Sequence, residues 1–173
     1  MHRLPVEGII RNTVFSHFCG GESIEESKAT INQLGKYSVK TILDYSVEGE
    51  KTEAGFEATM NEVLRTIDRA SRSQNIPFSV FKVTGVAPAE VLQKIQNILT
   101  INQQEEQASA RVLERVDKIC ARAYRYKIPV LIDAEETWIQ GTIDALSYRM
   151  MEKYNKERAI VFNTFQLYRT ASP

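Results

Sequence analysis

The chain has 173 residues, 43% of them apolar, and its 22 basic and 22 acidic side chains cancel to a net charge of zero. That length and apolar share suffice for one real core, and the neutral balance gives no overall electrostatic footprint for nucleic acid or an anionic bilayer. Cys19 and Cys120 lack a C-x-x-C partner and no secretory-type apolar run accompanies them, so they read as two reduced thiols packed as small apolar groups in a reducing, cytoplasmic compartment. No stretch approaches the ~18 consecutive apolar residues of a spanning helix.

Residues 1–36 read as a helical lead-in. Up to Gly21 the chain suggests a short helix or irregular segment, and His17 has no second His or Cys at a metal spacing, so no metal site is expected. Ser23 followed by Glu26 has the form of a capping box, and Ile24, Ala29, Ile31 and Leu34 give a helical face up to Gly35. From Tyr37 to Gly49 a first strand run follows, and Phe56, Met60, Val63, Leu64, Ile67 and Ala70 then repeat at three and four residues on one helical face. Asn75-Ile76-Pro77 stops that helix and opens a second strand run to Gly85. Pro88 suits the first turn of a helix with Val91, Leu92, Ile95, Ile98 and Leu99 on its apolar side. A polar break over residues 102–106 separates it from a helix with Val112, Leu113, Val116, Ile119, Cys120 and Ala123. Pro129 opens the third strand, a helix covers about Ile139 to Tyr154, and the fourth strand run spans Arg158 to Arg169.

Strands alternating with helices predict an α/β fold with a parallel sheet. No G-x-G-x-x-G follows the first strand, which argues against a dinucleotide-binding fold. The sequence stops straight after the fourth strand run with no helix to cover it, so the chain is expected to be part of a larger protein.

Each strand run is apolar and finishes in polar groups, and the carboxyl ends of parallel strands are where such folds place their chemistry. Val130-Leu131-Ile132 ends in Asp133, Glu135 and Glu136, which makes Asp133 the first candidate. An amino-terminal helix cap is its alternative reading, and Glu135 and Glu136 fit that solvated role better than a catalytic one. Lys82 is a cation within an otherwise apolar strand run, costly to bury unpaired; in isolation it would read as a snorkelling surface lysine.

Together the four strand ends resemble the proline dehydrogenase family. The resemblance rests on Leu43-Asp44-Tyr45-Ser46-Val47-Glu48-Gly49, Phe81-Lys82-Val83-Thr84-Gly85, Leu131-Ile132-Asp133-Ala134-Glu135-Glu136 and Phe162-Asn163-Thr164-Phe165-Gln166-Leu167-Tyr168-Arg169, in that order, with Phe15-Ser16-His17-Phe18-Cys19-Gly20-Gly21-Glu22 similar to the family's lead-in. It implies an FAD-dependent oxidation of L-proline to Δ1-pyrroline-5-carboxylate by hydride transfer from carbon 5, with electrons passed on to a quinone. It further implies that Lys82 binds the substrate carboxylate, with Asp133 as its charge partner and second catalytic residue. Ala134 and Gln166 would touch the flavin, and Arg169 would meet its phosphate. Glu48 would act as an acidic gate, and Asp44 reads as structural or functional alike.

The resemblance implies that residues 37–173 are the first half of a (β/α)8 barrel, strands one to four, and covers about half of that family's catalytic domain. The remaining strands and the family's substrate and flavin arginines are expected outside these residues, and quinone reduction would bring the whole protein to the inner-membrane surface. On its own the segment is expected to self-associate through open sheet edges, to hold no tightly bound FAD and to be inactive. Two other readings stand beside this one. One is a different barrel enzyme with Lys82 as a Schiff-base nucleophile of depressed pKa, and the other a non-catalytic half-barrel that only associates.

Overall fold

The computed structural model describes residue 13 and residues 19–21, 23–45 and 50–168, arranged as two compact units, Met1–Thr41 and Ile42–Pro173. Glu48, Arg169, His17 and most of the lead-in motif lie outside the described residues.

In the first unit, helix α1 spans Ile24–Lys36. Ser23 caps it, its Oγ accepting the Glu26 N–H at 3.1 Å, which satisfies one of the orphan donors of the first turn. Ser27 and Ile31 are its buried residues, whereas Ala29, expected on the inner face, is exposed. Cys19 is exposed as well, against the expectation of two packed thiols.

The second unit runs β1 (Ile42–Asp44), α2 (Glu53–Ala70), β2 (Phe78–Phe81), a 3-10 turn (Val83–Gly85), α3 (Ala89–Gln96), α4 (Gln103–Tyr126), β3 (Val130–Ile132), α5 (Gln140–Tyr154) and β4 (Val161–Asn163). All strand pairs are parallel and the spatial order is the sequence order, β1-β2-β3-β4. A doubly wound sheet reverses direction at a switch point, whereas a barrel steps one way throughout. The fold is therefore the α/β arrangement of a partial (β/α)8 barrel.

Strand alternation divides the sheet into two faces. Ser79, Phe81, Val130, Ile132 and Val161 are buried on the face that shares one core with Met60, Val63 and Ile67 of α2, Leu92 of α3, Val116, Ile119 and Cys120 of α4, and Ile143 and Met150 of α5. Burial there pushes the Cys120 thiol up to about 12, so this cysteine is the inert apolar filler expected of it. The other face carries Val80, Leu131 and Phe162 in register. On that face Phe78 of β2 meets Phe162 of β4 edge-on, ring centroids 5.9 Å apart, across the intervening β3. Alternate strands of a flat sheet lie roughly 9.5 Å apart, so this face is concave and forms the barrel interior.

The helix ends explain two departures from expectation. The polar break at residues 102–106 is a complete capping box: Asn102 Oδ1 accepts the Glu105 N–H at 3.0 Å and Glu105 Oε2 accepts the Asn102 N–H at 2.9 Å. Helix α3 stops at Gln96, short of Ile98 and Leu99. There Ile98 N–H bonds to Ile95 O and Leu99 N–H to Lys94 O, with Ile98 left-handed at φ 54 and 93% exposed. That is a Schellman ending, so the two residues continue the apolar spacing without continuing the helix. Ser38 and Lys127 end α1 and α4 in the same way.

One buried charge shapes the helical layer. Arg115 of α4 is 1% exposed. It donates to Glu57 at 2.7 Å, to Glu53, and to the buried carbonyl of Val86 at 3.0 Å, and lies over the Phe56 ring. A buried guanidinium is tolerable only when so fully paired.

Candidate active site

The sheet register carries on past the last strand residues. Phe81 pairs with Ile132, and Ile132 with Asn163. Backbone bonds from Asp133 N–H to Phe81 O at 3.0 Å and from Thr164 N–H to Ile132 O at 3.2 Å extend the ladder by one residue. Lys82, Asp133 and Thr164 thus stand side by side, and alternation aims them to the concave face. Lys82 follows the end of β2 rather than lying within the strand.

Lys82 Nζ donates to Asp133 Oδ2 at 2.7 Å, with the two side chains 26% and 34% exposed. This hydrogen bond, and more weakly the charges of Asp133, Glu135 and Asp44, raise the lysine pKa against the opposing effect of burial. Lys82 is therefore a firmly held ammonium, the opposite of the depressed lysine that a Schiff-base nucleophile needs. Asp133 is fixed on its other oxygen, which accepts from Ala134 N–H at 3.0 Å and Thr164 Oγ1 at 3.3 Å. It does not cap α5, which begins seven residues later with no side-chain cap.

Two residues further along each strand end lies a second row. Glu135 accepts the Thr84 backbone N–H at 2.9 Å and the Thr84 hydroxyl, and its own carbonyl accepts Gln166 Nε2 at 2.7 Å. Glu135 is half-buried, and burial raises its carboxyl pKa although the Thr84 bonds and Lys82 pull it down. The expectation of a solvated, cap-like glutamate is wrong for Glu135, because Thr84, a partner 51 residues away, takes both its oxygens. Glu136 is solvent-exposed as expected but caps no helix, since α5 starts after its N-cap Ile139 with no side-chain cap. A cavity of about 590 Å3 opens over these rows, lined by Glu50, Lys82, Thr84, Glu135, Gln166 and Tyr168 among others. Of the expected site residues, the structure brings Lys82, Asp133, Ala134 and Gln166 together.

Since the Glu135 carbonyl can only accept, it fixes the Gln166 amide with nitrogen toward Glu135 and oxygen away. The Gln166 Oε1 is buried and has no hydrogen-bond partner. Buried acceptors are nearly always satisfied, so this oxygen asks for a donor from a bound molecule. Lys82 is equally incomplete: one ammonium proton goes to Asp133, and no other acceptor bonds it among the described residues.

The family model described as Proline dehydrogenase matches residues 27–173. The chain belongs to the proline dehydrogenase family. It is 29% identical over 201 residues to "Proline dehydrogenase 1, mitochondrial" of Dictyostelium discoideum, covering 95% of this chain and 35% of that protein. It is 30% identical over 162 residues to "Carbapenem antibiotics biosynthesis protein CarD" of Pectobacterium carotovorum subsp. carotovorum, covering 94% and 43%. A crystal structure of proline utilization A (PutA) from Bdellovibrio bacteriovorus inactivated by N-propargylglycine superposes with a TM-score of 0.74 at 12% identity, over 96% of this chain and 18% of that one. The chain thus spans less than half the length of these curated relatives, and the structural match shows a shared fold. Among the described residues no helix is long and apolar enough to cross a membrane.

Proposed function

We propose that the protein carrying this chain is a proline dehydrogenase that oxidises L-proline to Δ1-pyrroline-5-carboxylate with bound FAD and passes the electrons to a quinone. The observation that carries the reading is the Lys82–Asp133 pair, 2.7 Å apart at the carboxyl ends of adjacent parallel strands, in a chain of a family that is generally flavin-dependent.

The residues present fit a flavin. The orphaned Oε1 of Gln166 is a pure acceptor, matched to the N–H on the pyrimidine edge of the isoalloxazine, and Ala134 puts only a methyl group beside it. The flavin, when bound, supplies the two-electron acceptor for the hydride leaving carbon 5 of proline. Lys82 binds the proline carboxylate with the ammonium protons that Asp133 leaves free, and Asp133 keeps that ammonium charged and aimed. The cavity wall holds Glu50, Glu135 and Glu136 against the single cation Lys82, so Lys82 is the described group that makes a carboxylate welcome there. Glu48 is the gate and Arg169 the phosphate contact in this reading, both assigned on the family motif.

Prepared as these 173 residues alone, the polypeptide is expected to self-associate. The outer edges of β1 and β4 pair with no further strand among the described residues, and Phe165 and Leu167 are 54% and 95% exposed. Light scattering and a visible spectrum check this, a yellow monomer being the contrary result. We assign the whole protein to the cytoplasmic side, at the membrane surface where quinone is met.

The test of function is anaerobic addition of L-proline to the full-length protein. Bleaching of the visible flavin absorbance, reversed by a quinone analogue, is expected; a flavin that stays oxidised would overturn the reading.

A further inference from the structure

We infer that Glu135 is a positioning residue of this site, which sets Lys82 and Gln166 together through one side chain and one carbonyl. The inference rests on the proline dehydrogenase reading for its kinetic consequences, and on geometry alone for its structural ones.

The register argument gives two rows across the strand ends. Lys82, Asp133 and Thr164 form the first, and Thr84, Glu135 and Gln166, each two residues later, form the second. Both rows are cross-linked. In the first, Asp133 takes Lys82 Nζ at 2.7 Å and Thr164 Oγ1 at 3.3 Å. In the second, Glu135 takes both Thr84 donors with its side chain and Gln166 Nε2 with its backbone carbonyl. Beyond Thr164 no backbone bond between strand ends is seen among the described residues, so the second row is held by side chains. Glu135 is its centre.

Its amide is tied down too. Glu135 N–H donates to Gln140 Oε1 at 2.7 Å, Gln140 Nε2 donates to the buried Asp144 at 2.8 Å, and Asn163 Nδ2 reaches the same Asp144 oxygen at 2.9 Å. The Glu135 backbone therefore cannot drift, and its carboxylate hands that rigidity to Thr84. Thr84 sits in the single turn whose Gly85 N–H bonds back to Lys82 O at 3.2 Å. Fixing Thr84 fixes the peptide from which the Lys82 side chain departs, while the Glu135 carbonyl decides which end of the Gln166 amide faces the cavity. Burial and the neighbouring Glu136 disfavour the charged Glu135 carboxylate, and the two Thr84 bonds, with the nearby Lys82 charge, offset this.

The test compares Glu135→Ala with Glu135→Gln in the full-length protein, by three readouts. Glutamine keeps an acceptor for the Thr84 N–H and a donor for its hydroxyl, and so should rescue. In protein free of flavin and proline, amide hydrogen exchange at residues 82–86 should quicken about 10-fold or more in Glu135→Ala, as expected for a lost charge-assisted bond, and return toward wild type in Glu135→Gln. The KM for proline and the Kd for FAD of the apoprotein should both rise about 10-fold in Glu135→Ala, with kcat changing less, and the glutamine variant should fall within about 3-fold of wild type. Unchanged exchange at residues 82–86 in Glu135→Ala would overturn the inference, as would a variant that is merely less stable while KM and Kd stay put. If wild type neither binds FAD nor oxidises proline, the functional reading fails, and the exchange result still decides the role of Glu135.

Discussion

Replacing Arg115 by Met probes whether one buried cation organises the helical layer. Glu53 and Glu57, its two carboxylate partners, keep side chains 47% and 46% exposed, so they rehydrate when the guanidinium goes and the loss per pair is that of a surface bridge, about 0.5–1 kcal/mol. The carbonyl of Val86 has no such escape, because Val86 is fully buried; an acceptor left bare there costs about 1–3 kcal/mol. The Phe56 ring, 5.4 Å beneath the guanidinium, adds about 0.5–1 kcal/mol, partly returned by the apolar methionine. Arg115→Met should therefore destabilise by about 3 kcal/mol and Glu57→Gln by no more than about 1 kcal/mol. Urea denaturation of the full-length protein, followed with hydrogen exchange across α2 and α4, measures both. Equal losses in the two variants, or an Arg115→Met protein as stable as wild type, would refute the assignment of the cost to Val86.

Ile98→Gly should raise stability by about 1 kcal/mol, because a β-branched residue is held left-handed there while its side chain packs against almost nothing; thermal denaturation giving a lower Tm would contradict this. Glu135 titrates with a folded pKa above its ordinary 4.5, so the folded chain holds this proton the tighter. Its contribution to stability is present below 4.5 and fades as pH rises through the folded value. Glu135→Gln should therefore gain stability relative to wild type across that rise and keep a constant difference above it, and a difference flat throughout the acid range would contradict the burial argument. Asp133→Asn leaves the shape of the pair but removes its charge, so proline turnover should fall substantially while Lys82 becomes easier to deprotonate; kinetics unchanged across pH would return Asp133 to a structural role.

Much of the fold was legible because its apolar residues follow the two simple periods. The spacing of Phe56, Met60, Val63 and Ile67 predicted α2, and Pro77 and Pro129 marked where β2 and β3 begin. Asp133 was legible as a polar residue at the end of an apolar run and Lys82 as a cation within one, although Lys82 stands just past the end of β2. Glu135 was not, since three acidic residues within four positions look alike until Thr84, brought across by the β2–β3 register, selects one of them. Arg115 is masked by the apolar stripe of Val112, Val116 and Ile119 that it shares, although a cation at that spacing, with Glu53 and Glu57 four residues apart on another helix, is the available signal. The ending of α3 was hidden because a Schellman turn normally announces itself with glycine, and here the left-handed residue is Ile98.

The central claim is that Lys82, held as an ammonium by Asp133, receives the carboxylate of proline. Lys82→Met keeps the stem and removes the charge, and the decisive measurement is proline-dependent flavin reduction by that variant beside its flavin content. The account predicts that bound flavin persists while reduction by proline collapses. A variant that still reduces its flavin with proline at a near-normal rate and KM would contradict it.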